Sequence, residues 1–236
     1  LQKCFQIPGR VLDVGCGEGT FLRLLKKEGW ECFGTELAEE MASRASRFGV
    51  SVSTGEIHEN QFPLQYIDVI TFWQVLEHLR NPAKIIKSLL PSLKKKGIVA
   101  ISTPNISSFQ AQVFGAEWFH LDPPRHLYLF SPETLKILME SLGFDLVRLY
   151  HFSMEQDPYG WVQGMLNRTN LLQNSLYTIL KNTPKYRRET LSLYRQFITV
   201  LMAMGLIPTC ICLSLGMSLF KPGATIEAFF KLKGVD

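Results

Sequence analysis

The residues best suited to chemistry form a glycine-rich turn near the start of the chain. A β-branched run ends at Asp13 and opens into Gly15-x-Gly17-x-Gly19, and an amphipathic stretch follows. A strand, a glycine turn and a helix in that order let a ligand touch bare backbone at a helix N-terminus. Glu36 ends the next apolar run, where an acid can accept hydrogen bonds from ribose hydroxyls. The pattern therefore predicts a site for an adenosine-type cofactor.

The spacing of the glycines separates two cofactor classes. The dinucleotide fingerprint is G-x-G-x-x-G, with a pyrophosphate on the helix dipole. In this chain the third glycine comes one residue early, and Thr20 stands where that fingerprint has glycine. Carboxylates at Asp13 and Glu18 disfavour a pyrophosphate and suit a cationic ligand. A nicotinamide-dependent oxidoreductase stays open as an alternative.

Over the first 150 residues, short apolar runs alternate with helical patterns. The predicted strands are Arg10–Val14, Glu31–Glu36, Val50–Thr54, Ile67–Phe72, Ile98–Ser102, Phe144–Tyr150 and, after a long interruption, Ala224–Lys231. The predicted helices are Thr20–Glu28, Ala38–Phe48, Pro82–Leu93 and Pro132–Leu142. This βαβα alternation predicts an α/β fold with a parallel sheet covered on both faces. Ligands bind at the carboxyl ends of such strands, where the glycine turn lies.

At these motifs the chain resembles the class I S-adenosylmethionine (SAM)-dependent methyltransferases, in particular a subgroup similar to ubiquinone-biosynthesis O-methyltransferases. The first motif of that family is D-x-G-x-G-x-G. The other matching segments are IDVI at residues 67–70, QVLEHL at 74–79, KKGI at 95–98, ISTPN at 101–105, PRHL at 124–127 and FSPE at 130–133. The resemblance extends from about Gly9 to Tyr150. Several ordered motifs at the right separations are more specific than one glycine motif alone.

The resemblance implies a Rossmann-like, doubly wound, seven-stranded and mostly parallel sheet with a C-terminal antiparallel strand and a helical insertion before it. The predicted domains are a SAM-binding core over 1–152, a helical, apolar insertion over 153–222, and a final strand over 223–236 that returns to the core sheet.

The same resemblance assigns the cofactor-binding residues. Asp13 is expected to hold the loop or reach the amino group of SAM, and Glu36 to accept both ribose hydroxyls. Glu56 and Ile57 are expected near the adenine, and Gln74 and Val75 on the methionine side. The full predicted set is Asp13, Gly15, Cys16, Gly17, Gly19, Glu36, Leu37, Glu56, Ile57, Gln74 and Val75.

Two histidines are candidates for a catalytic base. His78 follows the fourth strand, and His126 lies in a proline-rich loop beside Arg125. An imidazole with a pKa near neutrality can take a proton from a phenol or an enol. Each histidine could equally have a structural or substrate-positioning role. No metal is predicted, because no helix carries two histidines at i, i+4 and the nearby acids form no convincing ligand set.

Residues 197–220 carry no charged side chain, and length and polarity alone would predict a transmembrane helix. A full span would place the last strand across the membrane from its sheet, and Pro208 would break or kink the helix. We therefore predict two short helices that return the chain to the same side. They would lie at a membrane surface, in the core or at an oligomer interface, and a true membrane span stays open as an alternative. The flanking basic residues, which would favour anionic headgroups, are Arg187, Arg188, Arg195 and Lys221.

The composition of the chain bears on its partners and on its redox compartment. The chain has 236 residues, 46% apolar and 19% charged, with a net charge of +4. The basic residues are scattered, and the run at Lys94–Lys96 is interpreted as a solvated helix end, so no nucleic-acid partner is expected. Five cysteines without paired spacing, and no signal-peptide pattern, favour reduced thiols in a cytoplasmic protein.

The prediction is a SAM-dependent methyltransferase acting on a small or lipid-like acceptor, with O-methylation favoured by the resemblance. A non-catalytic binding module or membrane adaptor is the alternative.

Overall fold

A computed structural model of the chain describes residues 8–58, 61–169, 173–181 and 192–234. The described residues form seven strands and eight α-helices. The strands are β1 (Arg10–Val14), β2 (Glu31–Glu36), β3 (Ser51–Thr54), β4 (Ile67–Trp73), β5 (Leu93–Pro104), β6 (Phe144–Tyr150) and β7 (Thr225–Leu232). The helices are α1 (Thr20–Lys27), α2 (Glu39–Ser46), α3 (Pro82–Leu89), α4 (Phe109–Phe114), α5 (Pro132–Ser141), α6 (Gln156–Asn167), α7 (Ser175–Lys181) and α8 (Leu193–Ser218).

The strands form one sheet in the order β3-β2-β1-β4-β5-β7-β6. The pairs β1–β2, β1–β4, β2–β3 and β4–β5 are parallel, whereas β6 and β7 are antiparallel. The predicted fold class is therefore confirmed, including the antiparallel last strand. The strand order reverses direction at β1, between β2 and β4, and such a switch point is where open α/β sheets bind ligands.

One correction concerns the lysine run. We interpreted Lys94–Lys96 as the end of a helix, but α3 ends at Leu89 and β5 already begins at Leu93. Pro91 explains the early end, because proline lacks the N–H that continues a helix, and a single 3₁₀ turn follows α3. The Lys94 ammonium donates to a carboxylate oxygen of Asp68 at 2.7 Å.

A second correction concerns residues 197–220. The prediction of two helices meeting near Pro208 was wrong, since α8 is one continuous helix through that proline. A proline removes a single hydrogen bond of the helix, at a cost of about 3 kcal/mol. Packing on both sides of Pro208 offsets that cost, because Ala203 before the proline and Cys210 after it lie in one buried cluster.

The chain divides into two compact units. The first consists of Leu1–Thr103, Glu133–Tyr150 and Glu227–Asp236, and the second of Pro104–Pro132 and His151–Ile226. The second unit thus includes residues 104–132 as well as the helical insertion. The domain boundaries at 152 and 222 stay predictions.

Each unit has a hydrophobic cluster of its own. In the first unit, Val11, Leu22, Leu25 and Trp30 belong to a buried cluster around β1 and α1. In the second unit, α6 is buried nearly all round and packs against α4, α7 and α8. The second unit therefore has a helical core built on α6.

Candidate functional site

The three glycines of the first turn all have positive φ angles, but they meet different surroundings. The φ angles are +70° at Gly15, +56° at Gly17 and +77° at Gly19. A Cβ at Gly15 would lie 2.7 Å from a methyl of Val75, and one at Gly19 would lie 2.7 Å from the Cβ of Ala45. A Cβ at Gly17 would meet nothing within 4 Å. Gly15 and Gly19 therefore allow close packing, whereas Gly17 presents bare backbone to open space.

Glu36 lies directly against this open backbone. The Gly17 N–H donates to Oε2 of Glu36 at 2.9 Å, and the Ala38 N–H donates to Oε1 at 2.9 Å. Each carboxylate oxygen has a second lone pair. The carboxylate is half-buried at the carboxyl end of β2, beside Leu37, whose side chain is 69% exposed. The structure thus brings together the bare backbone and the acid that the sequence pattern paired.

Asp13 lies beneath the turn and is buried. The Thr71 hydroxyl donates to Oδ1 of Asp13 at 2.6 Å, across the parallel pair of β1 and β4. Burial raises the pKa of Asp13 to about 7; the Thr71 hydrogen bond lowers it and the nearby charge of Glu36 raises it. Of the two expected roles of Asp13, this geometry favours anchoring the loop to the sheet. Sequence reasoning missed Thr71, although a polar residue in an apolar central strand is a usable signal.

Cys16 is a packing residue of the turn. Its N–H donates to the Thr35 carbonyl at 3.0 Å. Burial raises the pKa of the Cys16 thiol to about 12, and the charges of Asp13 and Glu36 add to the effect, so the thiol is neutral. A Cβ at Gly34 would lie 2.6 Å from the Cys16 sulfur. Sequence reasoning also missed Gly34, which a glycine inside a strand could have indicated.

Gln74 follows the carboxyl end of β4 and adopts an unusual backbone conformation, with φ +56°. For a residue other than glycine this conformation costs on the order of 1–2 kcal/mol. Two hydrogen bonds hold it: the Gln74 N–H donates to the Ser102 carbonyl at 2.8 Å, and its side-chain amide donates to the Ser102 hydroxyl at 2.9 Å. Val75, which packs on Gly15, is therefore held at the edge of the glycine turn.

Glu77 and His78 lie in the 3₁₀ turn that follows. Glu77 is 1% exposed, and its Oε2 accepts from the Thr103 hydroxyl at 3.1 Å, while Oε1 has no partner among the described residues. Burial raises the pKa of Glu77 to about 7, and hydrogen bonds lower it. His78 is exposed. Sequence reasoning did not identify Glu77 as a buried acid, because burial depends on β5, distant in sequence.

Glu56 and Ile57 follow β3, with Glu56 exposed and Ile57 half-buried. The Gly55 N–H donates to the Glu36 carbonyl at 2.9 Å, which places this segment next to the end of β2. Their expected position beside the adenine stays a prediction.

His126 belongs to the second unit. Its Nδ1 lies 2.7 Å from the carbonyl oxygen of His120. A carbonyl can only accept, so Nδ1 carries the proton and Nε2 has the lone pair of the neutral ring. His120 is buried, and burial lowers its pKa to about 3, with a smaller contribution from His126. Arg125 forms an ion pair with Asp122 in the same loop.

The residues around Gly17 fit a cationic adenosine cofactor. The open backbone allows close approach, the Glu36 oxygens can accept ribose hydroxyls, and the Glu36 carboxylate gives the turn a negative field. The expectation that no metal is held stays a prediction.

Comparison with known proteins gives a consistent result. A family model described as "Methyltransferase domain" matches residues 1–149. The chain is 30% identical over 153 residues to a ubiquinone biosynthesis O-methyltransferase of Aeromonas salmonicida (strain A449), covering 59% of this chain and 63% of that protein. It is 34% identical over 119 residues to a protein of the same name from Shewanella sp. (strain ANA-3), covering 46% and 50%. The matches thus span between half and two thirds of the length of these relatives.

Solved structures show the same fold. A SAM-dependent methyltransferase from Archaeoglobus fulgidus has a TM-score of 0.61 at 24% identity, covering 98% of this chain and 89% of that chain. A SAM-dependent methyltransferase from Mesorhizobium loti has a TM-score of 0.57 at 15% identity, covering 97% and 94%. At these identities the likeness shows the fold alone.

Proposed function

The chain belongs to the methyltransferase-domain family, with S-adenosylmethionine as the implied cofactor, and we propose that it transfers a methyl group to a small or lipid-like acceptor. O-methylation is favoured, because the curated relatives are named as O-methyltransferases. We propose a cytoplasmic enzyme with peripheral membrane contact through residues 197–220.

The observation that carries this proposal is the contact between the Gly17 amide and the Glu36 carboxylate. Bound SAM supplies a methyl group on a positively charged sulfur. Glu36 would hold the ribose by accepting from its hydroxyls, and Gly17 would let the rest of the cofactor approach the backbone. Asp13 holds the turn in place through Thr71. The protein thereby orients the cofactor, which is the main protein contribution to a displacement reaction.

Other residues complete the proposed pocket. Leu37, Glu56 and Ile57 would line the adenine side, since they follow β2 and β3. Gln74 and Val75 would line the methionine side, held by the hydrogen bonds of Gln74 to Ser102. Gly15, Cys16 and Gly19 would contribute by packing closely and so fixing the shape of the turn.

Methylation of a hydroxyl requires that the acceptor oxygen lose its proton. His126 is our first candidate for the base, because its Nδ1 donates to the His120 carbonyl and leaves the lone pair on Nε2. His78 is the second candidate, since it is exposed directly after the strand that ends at Trp73. The two assignments predict different variants to be inactive.

Calorimetry on the full chain tests the cofactor. We expect SAM to bind and NADH not to bind. Gly17→Val should abolish SAM binding in a folded protein, because its side chain would occupy the open space and clash with the ligand. Gly143→Val is the matched control: Gly143 has φ +86° and equally open surroundings, in the turn before β6. It should carry a similar strain and keep SAM affinity.

Turnover tests the activity. Transfer of labelled methyl from SAM to hydroxylated aromatic or lipid-like acceptors should depend on His126 or His78, with SAM affinity retained in both alanine variants. SAM binding without transfer to any such acceptor would favour the non-catalytic binding module. Binding of NADH instead of SAM would favour the oxidoreductase and overturn the proposal.

A further inference from the structure

Helix α8 exposes a stripe of large apolar residues. Its fully buried positions carry small or polar residues, and the half-buried Met202, Leu206 and Leu213 pack against the core of the second unit. The buried residues are Thr199, Ala203, Cys210 and Ser214. The large exposed residues of the helix include Phe197, Leu201, Met204, Ile207, Ile211 and Leu215. Protein surfaces in water rarely expose a contiguous apolar stripe of this kind.

The stripe runs almost the whole length of the helix. The 26 residues of α8 extend about 39 Å at 1.5 Å per residue. The exposed large residues recur at intervals of three or four, so they lie on one side of the helix. The opposite side packs on α6 and α7 within the second unit. One apolar side is therefore left uncovered by the described residues.

The distribution of charge distinguishes a lipid surface from a protein partner. Residues 197–220 contain no charged side chain, whereas protein interfaces have a polar rim and are commonly enriched in arginine. Exposed basic residues stand at the two ends of the segment, Arg195 before it and Lys221 after it. Arg187 and Arg188 precede the helix but lie outside the described residues. Basic residues at both ends complement anionic lipid headgroups.

The connections of α8 argue against a single crossing of the bilayer. Before the insertion, Tyr150 of β6 pairs with Glu227 of β7 after it, so the chain must cross an even number of times. Among the described residues, α8 is the single helix long and apolar enough to cross. In the sequence from 151 to 192, no charge-free run is longer than residues 169–180. That is too short for the roughly 20 residues of a spanning helix.

We propose that α8 lies in the plane of an anionic membrane surface, with the stripe from Phe197 to Leu215 inserted among the lipid chains. Arg195 and Lys221 remain at the headgroups, and α6 and α7 cover the opposite side of the helix. This surface lies outside residues 1–149, which the family model matches. The proposal goes beyond methyl transfer and is tested without any activity measurement.

Vesicle binding of the full chain tests the proposal. Co-sedimentation is measured with vesicles of phosphatidylcholine alone and of phosphatidylcholine with phosphatidylglycerol. We expect binding to the mixed vesicles that weakens with added salt. Met204→Glu should lower the partition coefficient by about tenfold or more, because a charged side chain in the apolar region costs more than the 1.4 kcal/mol that a tenfold change represents.

Ile137→Glu provides the matched control. Ile137 lies on α5 and is 65% exposed, against 64% for Met204, so both variants place the same charge at an equally exposed apolar position of a helix. Ile137→Glu should leave vesicle binding unchanged. Circular dichroism and SAM binding of both variants establish that they are folded.

Four outcomes would overturn the proposal. The first is no binding to vesicles of either composition. The second is equal binding by wild type and Met204→Glu, which would place the contact elsewhere. The third is self-association in sedimentation velocity that Met204→Glu abolishes, without vesicle binding, which would make a second copy the partner. If the protein could be released from membranes only by detergent, α8 would be a spanning helix, and this result would also overturn the proposal.

Discussion

Helices α1 and α8 differ in how much of their large apolar surface the described residues cover. In α1 the leucines Leu22 and Leu25 are buried, and Lys26 and Lys27 are exposed. In α8 a stripe of large apolar residues is exposed, and the fully buried positions are small or polar. The contrast is that α1 covers its sheet and turns charged residues to water, whereas α8 leaves an apolar stripe uncovered by the described residues, as the membrane contact that we propose requires.

Leucine truncation separates the two helices most strongly. Leu22→Ala in α1 should lower the free energy of unfolding by about 2–5 kcal/mol, because Leu22 is fully buried and a cavity remains. Leu201→Ala in α8 should change it by less than about 0.5 kcal/mol, since this leucine is 55% exposed. Urea denaturation measures both. Equal losses in the two variants would show that α8 has its apolar side buried in solution.

Variants at the glycine turn and variants in α8 should affect the binding of different ligands, SAM and vesicles respectively. Glu36→Ala should weaken SAM binding by about tenfold or more, because charge-assisted hydrogen bonds contribute on the order of 1.5–3 kcal/mol each. Its vesicle binding should be that of wild type. Met204→Glu should show the converse pattern. Calorimetry and co-sedimentation on the same preparations give both values, and SAM binding within twofold of wild type in Glu36→Ala would remove Glu36 from the site.

The buried acid Glu77 makes the stability of the first unit depend on pH, whereas the buried Thr199 of α8 has no group that titrates. The pKa of Glu77 is about 7 in the folded protein, above its ordinary value of 4.5. The folded state thus holds a proton that the unfolded state releases, so stability is fully present below pH 4.5 and is lost as the pH rises to 7. The loss should be on the order of 1 kcal/mol or more.

Glu77→Gln should remove the Glu77 part of this dependence, because its amide does not titrate, and should leave the part that comes from Asp13. Denaturation midpoints of the cofactor-free protein at pH 5 and pH 8 measure the effect. Wild type should lose more stability than Glu77→Gln over that interval, and parallel changes in the two proteins would contradict a raised pKa.

A small effect of opposite sign is expected on the buried side of α8. Thr199 is fully buried, and its hydroxyl has no hydrogen-bond partner among the described residues. Thr199→Val keeps the shape and removes the unpaired group, so it should stabilise the protein by about 1 kcal/mol. A loss of stability in thermal unfolding would mean that the hydroxyl is hydrogen-bonded in solution.

The parts of the fold that depend on local pattern could be predicted from the sequence. β1, β2 and β6 have the predicted bounds, because each is a short run that begins within two residues of a glycine. Asn81 caps α3, with its side chain accepting from the Lys84 N–H at 3.0 Å. The predictions that failed, at Lys94–Lys96 and at Pro208, both gave one local signal too much weight. Strand pairing overrode the first and helix packing the second.

The sequence by itself determined the glycine turn, the acid at Glu36 and the order of strands and helices. These depend on residues close along the chain, whose spacing limits the backbone. Only the tertiary structure decided that the Glu36 carboxylate meets the Gly17 amide, that Thr71 holds Asp13, and which side of α8 is buried. Those features depend on contacts between residues far apart in the chain, and periodicity alone states that a helix is apolar without stating which side its neighbours cover.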